Sequence, residues 1–207
     1  MTFRSGRMLI IVGLALLTGA CASSPPPAPA ARNEGACFAD LDQKGVQYRR
    51  LADWTTPQGC SVTQAVEVTR SAIPWNRSAT MACPLEMAIW DFETNVVQPA
   101  ARRYFGRPVT RITHYGTYSC RNVSSGRGRL SQHALGRAID IAAFDVEGVG
   151  TISVLRDWRD KGPKGAFLRQ VAKDSCSVFS VVLSPNHDAQ HQNHLHLDIG
   201  PYRLCGA

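Results

Sequence analysis

From His194 to Ile199 polar and apolar residues alternate, so that Leu195, Leu197 and Ile199 fall on one face of a strand and His194, His196 and Asp198 on the other. Side chains two apart on a strand lie about 7 Å apart at the backbone, close enough to converge on one small object. VTRITHYGTYSC, from Val109 to Cys120, alternates in the same way and delivers Arg121 into the Gly- and Ser-rich stretch NVSSGRGR. AIDIAAF, Ala138 to Phe144, reads as a buried strand interrupted by Asp140. Helical periodicity is strongest from Pro84 to Phe105, where Leu85, Ile89, Phe92, Val96 and Val97 share a face. Pro84 suits the start of that helix and Gly106 lies beyond its end, while Pro99 predicts a kink or a division. Trp90 and Phe92 read as core. Shorter signals predict a helix in CFADLDQKG, a strand-like piece in VQYRRL, a strand near Thr151 to Leu155, a helix around Ala166 to Lys173 and a strand in FSVVL. Strands and helices do not alternate regularly. The expected fold is therefore a single α+β domain with a central antiparallel sheet flanked by helices, not a doubly wound one.

The N-terminus changes the setting of that domain. Arg4 and Arg7 precede the uncharged run MLIIVGLALLTGA, which is too short to span a bilayer comfortably and reads as an export signal. Leu17-Thr18-Gly19-Ala20-Cys21 resembles a bacterial lipobox, in which the cysteine is acylated and becomes the mature N-terminus. Thr18 stands where such boxes more often have leucine, and cleavage after the small residues around Ala22 is the alternative. The expected organisation is a lipoprotein signal over residues 1–21, a Pro/Ala-rich tether over 22–35 and one domain over 36–207. That implies a membrane partner through Cys21 and a place in the cell envelope facing the periplasm, on the outer membrane in preference to the inner.

Of the seven cysteines, those other than Cys21 are Cys37, Cys60, Cys83, Cys120, Cys176 and Cys205. Their even number and wide spacing in an exported chain predict disulfides and exclude a zinc finger, which needs close CxxC pairs. The spacing does not fix the pairing, although Cys37 with Cys60 is the most local candidate. The formal charge of +7 includes Arg4 and Arg7 of the signal. Export turns that basic balance away from nucleic acid and toward an anionic envelope surface or a carboxylate-bearing substrate, with plain solubility as the simpler account.

Four of the six histidines, His187, His191, His194 and His196, lie within ten residues. Asp140 sits in an apolar strand, where a carboxylate is costly unless it is paired or binds a cation. His133 precedes it by seven residues, about 10 Å along a continuous helix, but Gly136 lets the chain turn between them. With His196 they would form two imidazoles and a carboxylate, a zinc set with a position open for water. Taken singly, each has a simpler reading: a turn histidine, an acid paired with Arg137 or Arg121, and a surface HxH. His114 and His187 read as core and loop residues, and Asp188 has no assigned role.

SQHALGRAID, from Ser131 to Asp140, resembles the SxHxxGxAxD segment of the D-Ala-D-Ala carboxypeptidase and lysostaphin superfamily of zinc peptidases. His194-Leu195-His196 is similar to its closing HxH, and with His191 to the HxxHxH of the penicillin-insensitive murein endopeptidases. The whole domain more closely resembles the bacterial extensin-like C-terminal family, through ACFADLDQKGV, MACPLEMAIWDF, VVQPAARRYFG, YSCRN, SQHALGRAIDIAAF and HLHLD. The resemblance implies a fold like that of the D-Ala-D-Ala metallopeptidases. It also implies Zn2+ held by His133, Asp140 and His196, and catalysis by His194 with His191 as a second imidazole. Arg121 resembles the arginine that such enzymes aim at the scissile carbonyl. No glutamate stands between Ser184 and Leu195 to act as base, as one does in some relatives, so that role passes to His194. The implied activity is hydrolysis of an amide bond in peptidoglycan stem peptides or crosslinks. The rival reading is a wall-binding or scaffolding lipoprotein whose zinc is structural. Only the enzyme also needs His194 and Arg121.

Overall fold

A computed structural model describes residues 1–2, 34–124 and 128–206; Cys21, all but the first two residues of the signal and most of the tether lie outside them. The elements below all belong to one compact unit, Arg32–Ala207. They run α1 (Glu34–Gln43), β1 (Gln47–Arg50), β2 (Trp54–Thr55), β3 (Ser61–Val62), β4 (Ala65–Arg70), β5 (Ala79–Ala82), α2 (Cys83–Phe92), a π-helical turn (Glu93–Val97), α3 (Gln98–Phe105) and β6 (Val109–Gly116). After a 3₁₀ turn (Gln132–Leu135) come β7 (Ala138–Val146), β8 (Gly150–Ser153), α4 (Val154–Asp157), α5 (Pro163–Ser175) and β9 (Val181–Leu183). A second 3₁₀ turn (Ala189–His191), β10 (Leu195–Asp198) and β11 (Leu204–Gly206) close the chain.

The expected α+β organisation is observed, with one qualification to the antiparallel sheet. The six-stranded sheet has the order β11-β9-β10-β7-β6, and β8 pairs with β7; every pair is antiparallel except β11 with β9. That parallel pair exists because the chain leaves β10 through Gly200 and Pro201 and returns to the far edge of β9. A smaller antiparallel sheet, β1-β4-β5, and the two-stranded β2-β3 complete the strands.

β7 organises the molecule. Its first half pairs with β10 and its second with β8, while β6 runs along its other edge. Between Thr113↔Ala143 and His114↔Ile141 the register skips Ala142, a bulge that reverses which residues face inward. Ile139 and Ile141 before it, and Phe144 and Val146 after it, all enter one core despite their opposite parity. Phe144 there meets Phe167 of α5, which also meets Phe105 of α3, at ring centroid distances of 5.4 and 5.5 Å.

The helix predicted over Pro84–Phe105 spans Cys83–Phe105 and keeps helical dihedrals throughout. Pro99 divides it without bending the chain out of the helix. A proline ring collides with the carbonyl four residues back, and the wider π turn before Pro99 relieves that collision. Gly106 closes the helix in the left-handed conformation, φ 67°, and donates its N–H to Arg102 O. The strand expected over Thr151–Leu155 ends at Ser153, because Asp157 Oδ2 accepts the Ser153 N–H at 2.7 Å and starts α4 there.

Three disulfides pair Cys37 with Cys83, Cys60 with Cys120 and Cys176 with Cys205. The local pairing Cys37–Cys60 is corrected: α1 packs against α2, whose first residue is Cys83, while Cys60 at the β2-β3 hairpin reaches the chain just after β6. Among the described residues no helix is long and apolar enough to cross a membrane.

Candidate metal centre

β10 holds the alternation that the sequence predicts. Leu195 and Leu197 lie in the core, while His196 and Asp198 turn to the other face. Register then places His196 directly opposite Asp140 of β7, and Leu195 and Leu197 opposite Ile141 and Ile139. One strand pair thus builds core on one side and two donor groups on the other.

His133 reaches the same point from the turn before β7. Ser131 Oγ accepts the His133 N–H at 3.3 Å, and Gly136 ends the turn with φ 61°. A Cβ on Gly136 would stand 3.0 Å from both Ala82 N and Val62 Cγ1. The bend that brings His133 back over Asp140 therefore needs glycine for its backbone and for its closeness to β3 and β5.

The donor atoms converge tightly. His133 Nε2 is 3.2 Å from Asp140 Oδ1 and 3.1 Å from His196 Nδ1, and His196 Nδ1 is 3.0 Å from Asp140 Oδ1. Zinc bonds of about 2.0–2.2 Å in tetrahedral geometry separate ligand atoms by roughly 3.3 Å, so these spacings fit such an ion. The remaining ring nitrogens are committed. His133 Nδ1 donates to Thr117 O at 2.8 Å, and His196 Nε2 donates to Asp198 Oδ2 at 3.1 Å. Neutral rings held this way turn two lone pairs toward a carboxylate, an arrangement that only a cation or an added proton resolves. His196 binds a proton more tightly than a free imidazole does. Burial alone would lower its pKa, but the hydrogen bonds to Asp140 and Asp198 outweigh that and raise it to about 9. Asp140 is correspondingly held well below the usual carboxylate range, since its bonds to His133 and His196 exceed the opposing effect of burial.

The other two histidines of the HxxHxH segment border the same cleft, a cavity of about 670 Å3 lined also by Arg121, Arg129 and Tyr202. His194 Nε2 lies 3.5 Å from Asp140 Oδ1, and its Nδ1 is 2.7 Å from Asn193 Oδ1. His191 stands beside it, with ring centroids 5.2 Å apart, and its Nδ1 donates to Asp188 Oδ1 at 2.7 Å. Burial lowers the pKa of both rings; Asp188 opposes this for His191, and Asp140 does so for His194.

Every residue singled out for zinc or catalysis reaches this cleft or the ligand cluster at its floor: His133, Asp140 and His196 as the cluster, His191, His194 and Arg121 around it. Asp140 pairs with imidazoles, not with Arg137 or Arg121. His114 is buried, 1% exposed, with Nε2 against Arg77 O, and His187 lies on the exposed loop that forms one cleft wall. Sequence reasoning gave no role to Thr117, Asn193 or Asp188. A carbonyl such as that of Thr117 carries no side-chain signal, whereas Asp188 before Ala189-Gln190-His191 is a helix N-cap pattern that identifies a fixed carboxylate.

An α+β domain with a His-Asp-His donor cluster at the floor of an open cleft defines the class of this molecule. Residues 35–206 match the family described as Extensin-like protein C-terminus, and the chain belongs to that family. No curated protein and no solved structure gives a significant match.

Proposed function

We propose that the protein is an exported zinc hydrolase that cuts an amide bond in peptidoglycan stem peptides or their crosslinks. The observation that carries this reading is the convergence of His133 Nε2, Asp140 Oδ1 and His196 Nδ1 within 3.2 Å of one another beside two further imidazoles. A structural site is satisfied by its ligands alone, whereas His191 and His194 are groups that proton transfer requires. Likeness of SQHALGRAID and HLH to the zinc peptidase segments supports the same choice.

His133, Asp140 and His196 would hold a zinc ion, which would supply Lewis acidity to acidify water and polarise a carbonyl. The chain's own groups do the rest. Thr117 O and Asp198 fix the tautomers of the two ligand rings. His194 and His191 accept and return protons or steady the charge that develops on the carbonyl oxygen, and Arg121 at the cleft wall adds a positive charge for the same oxygen. Arg121 and Arg129 make the cleft hospitable to a peptide that bears carboxylates. The likeness of residues 1–21 to a lipoprotein signal ending at Cys21 supports a setting at the envelope, on a lipid anchor facing the periplasm.

Incubating the purified protein with crosslinked and uncrosslinked muropeptides, zinc-loaded or chelated, and identifying products by mass spectrometry tests the reading. Zinc-dependent cleavage is expected. A fully zinc-loaded protein that cuts neither substrate would replace the hydrolase with a wall-binding lipoprotein whose metal ties the 3₁₀ turn to the β7-β10 pair.

A further inference from the structure

We infer that the open sheet face beside the donor cluster, built by β9, β11 and the turn that carries Tyr202, is a docking shelf for a sugar ring, so that the substrate is an acidic peptide still attached to its saccharide. The inference rests on the hydrolase reading above and narrows its substrate. The shelf shares no residue with the donor cluster.

Register places the shelf. On β9, Leu183 lies opposite His196 and Val181 opposite Asp198, and on β11 Leu204 lies opposite Val181. Partners in register share a sheet face, so Val181, Leu183 and Leu204 continue the face that carries His196, while Val182 between them turns into the core. Val181 and Leu183 line the cleft, as does Tyr202 in the turn before β11. Tyr202 is 61% exposed and Leu204 46%; among the described residues, Tyr115, Leu155 and the terminal Met1 are the only other large apolar side chains so uncovered. Two of these five therefore stand together at one end of the cleft. The Arg129 guanidinium lies 5.6 Å from the centre of the Tyr202 ring and steadies it.

The chemistry of this face selects its occupant. An aliphatic side chain is read by a pocket that closes around it, whereas here two strands offer an open apolar face with an aromatic ring at its rim. A pyranose presents a flat C–H face to such a surface, and its edge hydroxyls meet the Tyr202 hydroxyl and the Arg129 guanidinium. Charge suits the peptide that the sugar carries. Arg121 and Arg129 both line the cleft, and among the described residues neither forms a salt bridge, so each is available to a carboxylate lying between the sugar and the donor cluster. Two inter-strand steps of about 4.8 Å and two residues of about 3.4 Å along the strand put Leu204 about 12 Å from His196 at the backbone. An extended peptide covers that distance in about three residues.

The test uses the full zinc-loaded chain and two probes with the same peptide, a muropeptide that carries its disaccharide and the peptide freed of sugar. Binding is read by calorimetry in a slow His194→Ala background, and cleavage by mass spectrometry in the otherwise unaltered chain. The sugar-bearing probe should bind about tenfold more tightly, and its cleavage should leave about three residues on the sugar. Tyr202→Ala and Leu204→Ser should each reduce the preference to about twofold or less, whereas Tyr202→Phe, which keeps the ring, should retain it; about one zinc per chain in each variant shows that the cleft is intact. Equal binding of the two probes, or a preference undiminished in both Tyr202→Ala and Leu204→Ser, would overturn the inference while leaving the hydrolase standing. A chain that dimerises through this face, becomes monomeric in Tyr202→Ala and shows no sugar preference would overturn it too, giving the shelf to a second copy. Tight binding of the sugar-bearing probe by a wild type that cuts neither probe would instead remove the hydrolase and leave the shelf.

Discussion

Two residues apart in sequence, His196 on β10 and His194 just before it have separable duties that single substitutions resolve. His196 supplies one of three converging donors and is itself steadied by Asp198. His196→Ala should therefore lose both zinc and hydrolysis, read by elemental analysis and muropeptide turnover. His194→Ala leaves that donor set whole, so zinc should stay near one per chain while turnover drops by about 100-fold. Loss of zinc from His194→Ala with retention in His196→Ala would reverse the two assignments. Gly136 offers a test of stability at the same scale. With φ 61° and 3.0 Å contacts awaiting a Cβ, Gly136→Ala should cost about 1–3 kcal/mol from the left-handed backbone, measured by denaturant unfolding. Zinc affinity should weaken with it, because the same bend presents His133.

At the level of elements, the helical stretch Cys83–Phe105 hides an ionisable pair beneath an apolar face. Glu93 accepts Ile73 N–H at 2.8 Å and Trp75 Nε1–H at 2.6 Å, yet burial pushes it up to about 7. Neither Glu86 oxygen accepts a well-formed hydrogen bond. Burial first, then the charge of Glu93, raises Glu86 well above the carboxylate range, and Ser71 only partly offsets them. Both groups bind protons more tightly in the folded chain than in the unfolded one, where a glutamate titrates near about 4.3. Their contribution is complete below that value and is lost as pH rises above it, for Glu93 through about 7. The melting temperature of Glu86→Gln relative to wild type should accordingly rise between pH 4.5 and 8, and a flat difference would contradict the account. The glutamates show how far the pattern reads. Leu85, Ile89 and Phe92 announced the buried face, but nothing in their period says that Glu86 and Glu93 join it. In the same way β10 was legible because Leu195 and Leu197 alternate with His196 and Asp198, and Asp140 because a lone acid in AIDIAAF demands a partner. The Ala142 bulge was not, since AIDIAAFDV reads as apolar on both faces and the slip arises from pairing with β6. Nor was the union of Cys37 with Cys83, which depends on how α1 meets α2 and not on distance along the chain.

For the molecule as a whole, the disulfides and the lipobox-like segment speak to the same setting. The three bridges close separations of 46, 60 and 29 residues, and each such bridge typically contributes about 2–4 kcal/mol. Alkylation of the denatured, unreduced domain should label none of Cys37, Cys60, Cys83, Cys120, Cys176 or Cys205. Membrane attachment is a separate matter that rests on Cys21. Cys21→Ser should move the protein from the membrane to the soluble fraction and abolish acyl labelling, whereas an unchanged fractionation would remove the anchor from the proposal.

The placement of His196 opposite Asp140 also sets an order of events in time. The two lie 56 residues apart in sequence, and His133 lies 63 from His196, so no stretch of unfolded chain contains a site. β7 and β10 must find their register first, and a slip of one residue would send His196 into the core and Leu195 or Leu197 toward the cleft. The three donors of the proposed site come together only in a chain that is already correctly paired. On the proposed zinc reading, loading with metal would be a late and selective step, one that distinguishes finished molecules from misregistered ones.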